Sequence, residues 1–116
     1  MYRAAFIQGY QICALWTSTK DDGSTMDEYG IDAIAPESDK RMEADCDRFI
    51  AANRRDLSRI EPGPAGYDLW LTRNGHGTGY WDRDLGGRGD RLTAAAKALG
   101  GCSLYLGDDG KIHQCE

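Results

Sequence analysis

The residues best suited to chemistry lie between Trp70 and Asp84, in the run W-L-T-R-N-G-H-G-T-G-Y-W-D-R-D. His76 stands between two glycines, with Asp82 and Asp84 following. A histidine oriented by a carboxylate could act as a general base or a metal ligand. The surrounding spacing argues against both roles. The other histidine, His113, is distant in sequence, and neither one sits in an HExxH pattern or beside a cysteine pair. No nucleophile, base and orienting group can be assembled from the Ser, Cys and His residues. The expectation is therefore no catalytic residue, no metal and no cofactor. The alternative is a small enzyme or metal-dependent hydrolase using His76 with Asp82 or Asp84.

Gly75, Gly77 and Gly79 invite a phosphate-loop reading, but such a cradle needs a helix directly after it and usually a lysine. The GxGxxG and GxxxxGK[ST] spacings are both absent, so these glycines are assigned to a turn. Tyr67, Trp70, Tyr80 and Trp81 could stack on bases, yet Asp68, Asp82 and Asp84 interleave with them and would repel phosphates. Arg73, Arg83, Arg88 and Arg91 leave an accessory nucleic-acid or plasmid-maintenance role as a further alternative.

The net charge of −5 and pI of about 4.9 lack the electrostatic footprint of a phosphate-backbone binder. An acidic surface favours basic protein partners, although the same charge also serves solubility. Two acidic clusters are candidates for interaction. Asp108 and Asp109 suit ordinary turn chemistry. Asp21, Asp22, Asp27 and Glu28 exceed what a turn requires and are taken as the partner-binding group.

These residues must be positioned by a chain of 116 residues, long enough for one domain spanning 1–116. Arg3 to about Ser18 reads as a helix, with Phe6, Tyr10, Cys13 and Thr17 at helical spacing and Ile12, Leu15 and Trp16 widening the apolar surface. Gly9 weakens it, and close packing against another element would explain the glycine. A short turn over Asp27 to Ala35 would tuck Tyr29, Ile31 and Ile34 inward. A second helix starts at Pro36 and carries Met42, Cys46, Phe49, Ile50, Asn53 and Leu57 on one stripe, stopping before Pro62-Gly63-Pro64. Tyr67 to Thr72 alternates like a strand, and Tyr80-Trp81 would pair with it as a first hairpin. A third helix over about Asp90 to Leu99 ends at Gly100-Gly101. Cys102 to Leu106 and Lys111 to Cys115 flank Gly107-Asp108-Asp109-Gly110 as a second hairpin.

The resulting fold class is α+β, with about three helices on one face of a small antiparallel sheet of two hairpins. Cys13 and Cys46 fall on apolar helix faces as small hydrophobes. A tight turn at Asp108-Asp109 would set Cys102 opposite Cys115. A type I turn with Gly110 as a left-handed bulge would not, and this is the favoured geometry. The N-terminal residues form no signal-peptide h-region, and no run reaches the roughly 18–20 apolar residues of a membrane span. A cytoplasmic location with reduced thiols is expected. Exposed strand edges leave a homodimer open.

The segments C-A-L-W-T-S-T (13–19), I-A-P-E (34–37), D-L-W-L-T-R-N-G-H-G (68–77), G-Y-W-D-R (79–83) and L-Y-L-G-D-D-G-K-I (104–112) resemble a family of small acidic proteins of phages, prophages and conjugative elements. The resemblance spans most of the chain and brings no catalytic residues with it. It implies a mobile-element protein that binds and inhibits a host defence complex, anti-CRISPR proteins being one such class. The implied partner is a basic surface on a host protein such as a CRISPR effector subunit.

Overall fold

The structure, a computed structural model, describes residues 1–20 and 22–115. Helix α1 (Tyr2–Thr17) buries Phe6, Ile7, Tyr10, Cys13, Ala14 and Leu15. Leu15 widens this stripe as expected, but Ile12 and Trp16 do not, because they fall on the side of α1 that no described element covers and stay exposed. Helix α2 (Pro36–Ala52) opens on a proline whose missing N–H is not needed there, with Glu37 and Asp39 in its first turn. It breaks at Asn53, and a single turn, α3 (Arg54–Leu57), carries Leu57 into the core. The preceding 3-10 turn (Ile31–Ala33) buries Ile34 at its end, but leaves Ile31 on the surface and Tyr29 half-buried.

The first expected hairpin does not form. Residues 67–72 lie inside helix α4 (Pro62–Arg73), and Tyr80-Trp81 lie in a 3-10 turn (Tyr80–Asp82). Pro62 and Pro64 do not separate two elements. Pro62 occupies the first turn of α4, where proline is tolerated. The helix is buried on nearly every side, with Ala65, Gly66, Asp68, Leu69, Trp70, Leu71, Thr72 and Arg73 all enclosed. A helix enclosed all round shows no polar face, so its 3.6 period is hidden and the short stretch reads as alternation.

Helices α1 and α4 meet at their glycines. A Cβ built on Gly66 would stand 1.9 Å from the carbonyl oxygen of Phe6, and one on Gly9 would stand 2.1 Å from that of Gly63. This is the close packing anticipated for Gly9. The contact lets the two backbones touch and brings Tyr10 edge-on to Trp70, with ring centroids 5.4 Å apart. Helix α5 (Gly87–Ala98) starts about one turn earlier than the sequence indicates and ends at Gly100, whose φ of +79° suits glycine.

The sheet has two antiparallel strands, β1 (Ser103–Leu106) and β2 (Ile112–Cys115). Ser103 faces Cys115, Tyr105 faces His113, and Gly107 N–H donates to Lys111 C=O at 2.8 Å. Gly110 has a φ of +78°, as the bulged turn requires, so Cys102 is not opposite Cys115. The hairpin is fastened by Ala35 N–H to Ile112 C=O and by Gln114 N–H to Ser38 Oγ, both 2.8 Å. The fold class is thus α+β, with four long helices, one short one and a single hairpin among the described residues. No described helix is long and apolar enough to cross a membrane.

Candidate functional site

The run from Trp70 to Gly79 sits where α4 ends, and its side chains are bound into the scaffold. Trp70 Nε1–H donates to Thr17 Oγ1 at 2.8 Å, and Thr72 Oγ1 accepts from Tyr80 N–H at 3.2 Å. Arg73 is buried. It donates to Tyr10 Oη and Asp45 Oδ2, both at 2.9 Å, and to the carbonyls of Gly100 and Leu99 at 2.8 and 3.2 Å. Asn74 donates back to Trp70 C=O at 3.0 Å and accepts from Cys102 N–H at 2.8 Å, tying the helix end to the hairpin. Gly75 takes a φ of +70° and His76 N–H closes onto Leu71 C=O at 3.0 Å, a helix-ending turn. The block that stands out in the sequence is therefore largely a structural junction.

The polar side chain of His76 makes no hydrogen bond among the described residues, unlike its neighbours in that block. It is half-buried and lines a cavity of about 360 Å³ with Thr17, Thr19, Trp70, Asn74 and Cys102. Asp82 instead accepts from Thr78 Oγ1 at 3.0 Å, and no hydrogen bond joins His76 to Asp82 or Asp84 among the described residues. No group of three or more His, Cys, Asp or Glu side chains is placed to hold a metal among the described residues. Burial pushes the Cys102 thiol up from its ordinary value, which leaves it a weak nucleophile.

The four arginines do not all share one surface, although Arg83 and Arg88 border one cavity together with Arg59. Arg73 is internal. Arg83 grips Asp68 with two bonds of 2.9 and 2.7 Å, and Arg91 grips Asp56 with two of 2.9 and 2.8 Å. Arg88 donates to Ser58 C=O at 2.8 Å. Nor do the aromatic residues form a stacking platform: Trp70 and Tyr80 are core residues, and Trp81 is exposed. Tyr80 donates its hydroxyl proton to Ala65 C=O at 2.6 Å and stacks on Phe49 at 5.9 Å.

The acidic segment after α1 is built on a fixed frame. Thr19 and Thr25 form an antiparallel bridge, Met26 N–H donates to Ser18 C=O at 3.2 Å, and the Met26 side chain is fully buried. Asp22, Asp27 and Glu28 are exposed on this frame, while Asp21 lies outside the described residues. Asp22 Oδ1 accepts from Ser24 Oγ and N–H at 2.6 and 2.9 Å, and the hydroxyl bond above all holds its carboxyl below the usual range. Thr25 Oγ1 donates to Asp27, and Lys20 Nζ lies 2.8 Å from Glu28. Lys20 also sits 5.6 Å from the centre of the Tyr29 ring. Asp108 and Asp109 are at the hairpin tip, where Asp109 caps Lys111 N–H and contacts His113. Reasoning from the sequence misses the exposed Tyr105 and Leu106, which lie beside this acidic frame. The signal available was apolar residues on both faces of the short run L-Y-L. A scan against protein-family models gives no match for the chain, and searches of curated proteins and of solved structures give none.

Proposed function

We propose that this chain is a non-catalytic binding protein of a mobile element, which inhibits a host defence complex by covering a basic surface in the manner of anti-CRISPR proteins. The observation that carries the reading is the framed acidic turn. Met26 anchors it, the Thr19–Thr25 bridge shapes it, and the carboxylates of Asp22, Asp27 and Glu28 stand exposed on it, with Lys20 engaged by Glu28. Carboxylates held on a rigid turn lose little entropy on binding and complement a basic surface. The net charge of −5 adds long-range attraction to such a surface. The mobile-element context comes from the resemblance of the block at residues 68–77.

The non-catalytic character belongs to the same proposal. It is supported by the lack of a hydrogen bond from His76 to Asp82 or Asp84 among the described residues and by the structural use of Trp70, Thr72, Arg73 and Asn74. The test is an affinity pull-down of the tagged chain from a bacterial lysate containing a CRISPR effector, beside a chain carrying Asp21→Asn, Asp22→Asn, Asp27→Asn and Glu28→Gln. Recovery of effector subunits by the native chain, weakened and made less salt-sensitive in the variant, is the expected result. Equal recovery by both chains removes the electrostatic mechanism, and recovery of the bait alone removes the inhibitor reading.

A further inference from the structure

One edge of the sheet has no partner strand among the described residues, with Leu106 exposed on it and Leu104 almost fully covered at its floor. Gly107 N–H bonds to Lys111 C=O, so residues 107, 105 and 103 are the hydrogen-bonded positions of the hairpin. The N–H and C=O groups of Leu104 and Leu106 consequently point away from β2. Among the described residues no strand, bridge or side chain takes them, whereas the far edge of β2 is occupied by the bridge from Ile34 to Ile112. Unpaired strand edges of this kind are templates for another extended chain.

The space beside that edge has the shape of a furrow. Two cavities of about 360 and 350 Å³ run along it, the first bordered by Cys102, Ser103 and Leu104, the second by Leu104, Tyr105 and Leu106. Both have Thr19 on the opposite wall, with Thr17 and Ser18 towards one end and Lys20 and Asp22 towards the other. Residues 17–20 and Asp22 thus lie alongside β1, and no hydrogen bond joins them to it among the described residues. Tyr105 and Leu106 are 49% and 38% exposed at the same place, apolar surface that an occupant would cover.

We infer that this furrow binds an extended peptide segment of a protein partner by strand addition to β1, with an apolar side chain on Leu106 and a basic one beside Asp22. The backbone arrangement sets the occupant's conformation, because outward amides alternate every second residue, about 6.6–6.8 Å apart, as only a strand can match. Charge sets its polarity. Lys20 pairs with Glu28, and Asp22, whose carboxylate accepts only from Ser24 among the described residues, is the acidic group at the Leu106 end. A second copy of this chain is a poorer occupant, since its own β2 would have to enter the space held by Thr17, Ser18, Thr19 and Lys20. The inference deepens the proposed function and rests on the acidic turn being partner-facing.

The test selects octapeptides from a displayed random library on the full chain and measures their binding and amide hydrogen exchange. Enriched peptides carrying a Lys or Arg, with slowed exchange at Leu104 and Leu106, are expected. Leu106→Pro removes an outward N–H that β2 does not use, and an edge strand tolerates it. It should weaken peptide binding about fivefold to tenfold, the effect of one ladder bond. Asp22→Asn, which leaves the edge intact, should weaken basic peptides and spare neutral ones. The inference is overturned by an absence of enrichment, by bound peptides that leave both amides exchanging freely, or by a peptide-free dimer that already protects them. Failure of the electrostatic reading in the pull-down would leave the amide protection in place, so the two failures are distinguishable.

Discussion

Arg73 Nη1 lies 2.9 Å from Asp45 Oδ2, joining the end of α4 to the middle of α2 across an interior where both residues are enclosed. The same guanidinium reaches the Tyr10 hydroxyl on α1 and two carbonyls at the end of α5, so one side chain ties four helices together. Asp45 is balanced on its other oxygen by Arg48. A buried charge with this many partners is costly to strip of any one.

Arg73→Met should therefore destabilise the fold by about 3–5 kcal/mol, because it leaves Asp45 enclosed with only its surface partner. Adding Asp45→Leu should recover part of that loss, since an apolar pair avoids the unpaired charge. Urea denaturation with an unchanged m-value would measure both. A single-variant loss below about 1 kcal/mol would show that the cluster is not holding the helices.

Gly66→Ala should prevent normal folding, because its Cβ would fall 1.9 Å from the Phe6 carbonyl oxygen, which is backbone and cannot swing away. The cost should exceed the roughly 1–3 kcal/mol of ordinary overpacking. Gly63 offers the contrast within the same helix. A Cβ there would meet nothing within 4 Å, so Gly63→Ala should be neutral or stabilising by up to about 1 kcal/mol. Melting temperatures of the two variants would separate these outcomes.

Gln114 is buried opposite Leu104, and neither its amide nitrogen nor its amide oxygen has a hydrogen-bond partner among the described residues. Gln114→Met keeps the shape and removes both unsatisfied atoms, so it should stabilise the chain by roughly 1 kcal/mol or more. Its backbone bond to Ser38 would remain. A lower midpoint in chemical denaturation would show that the amide is engaged in solution.

Burial pushes the Cys13 thiol up to about 12 and raises Cys46 as well, while Tyr10 and Tyr80 are driven well above their ordinary values by the same cause. The unfolded chain releases these protons first, at about pH 8.5 for cysteine and about 10 for tyrosine. Stability contributed by the protonated thiols is complete below about pH 8.5 and is lost as pH rises towards the folded values. Each fully buried thiol can add a slope of at most about 1.4 kcal/mol per pH unit in that window. Urea midpoints should fall between about pH 8.5 and 10.5, and Cys46→Ala should flatten the decline despite lowering stability at neutral pH. A flat profile for the native chain would contradict this.

The sequence alone determined the elements whose signals are local. Pro36 with Glu37 and Asp39 starts α2, Gly100 stops α5, and Gly110 supplies the positive φ of the hairpin turn, because caps and turns depend on residues a few positions apart. The centres of the buried faces of α1 and α2 were legible for the same reason, each helix having a solvated side, although Ile12 and Trp16 of α1 are apolar and lie on that solvated side. Only tertiary structure decided that Tyr67 to Thr72 is helical. Its enclosure by α1, α5 and the Tyr80 turn removes the polar face that would betray the period, and the close approach of α1 and α4 at Gly9 and Gly66 joins residues far apart in the chain. The same holds for the candidate site. Asp22, Asp27 and Glu28 were visible as acids and their turn is local, but the burial of Met26 that anchors it and the placement of β1 beside it join segments far apart in the chain.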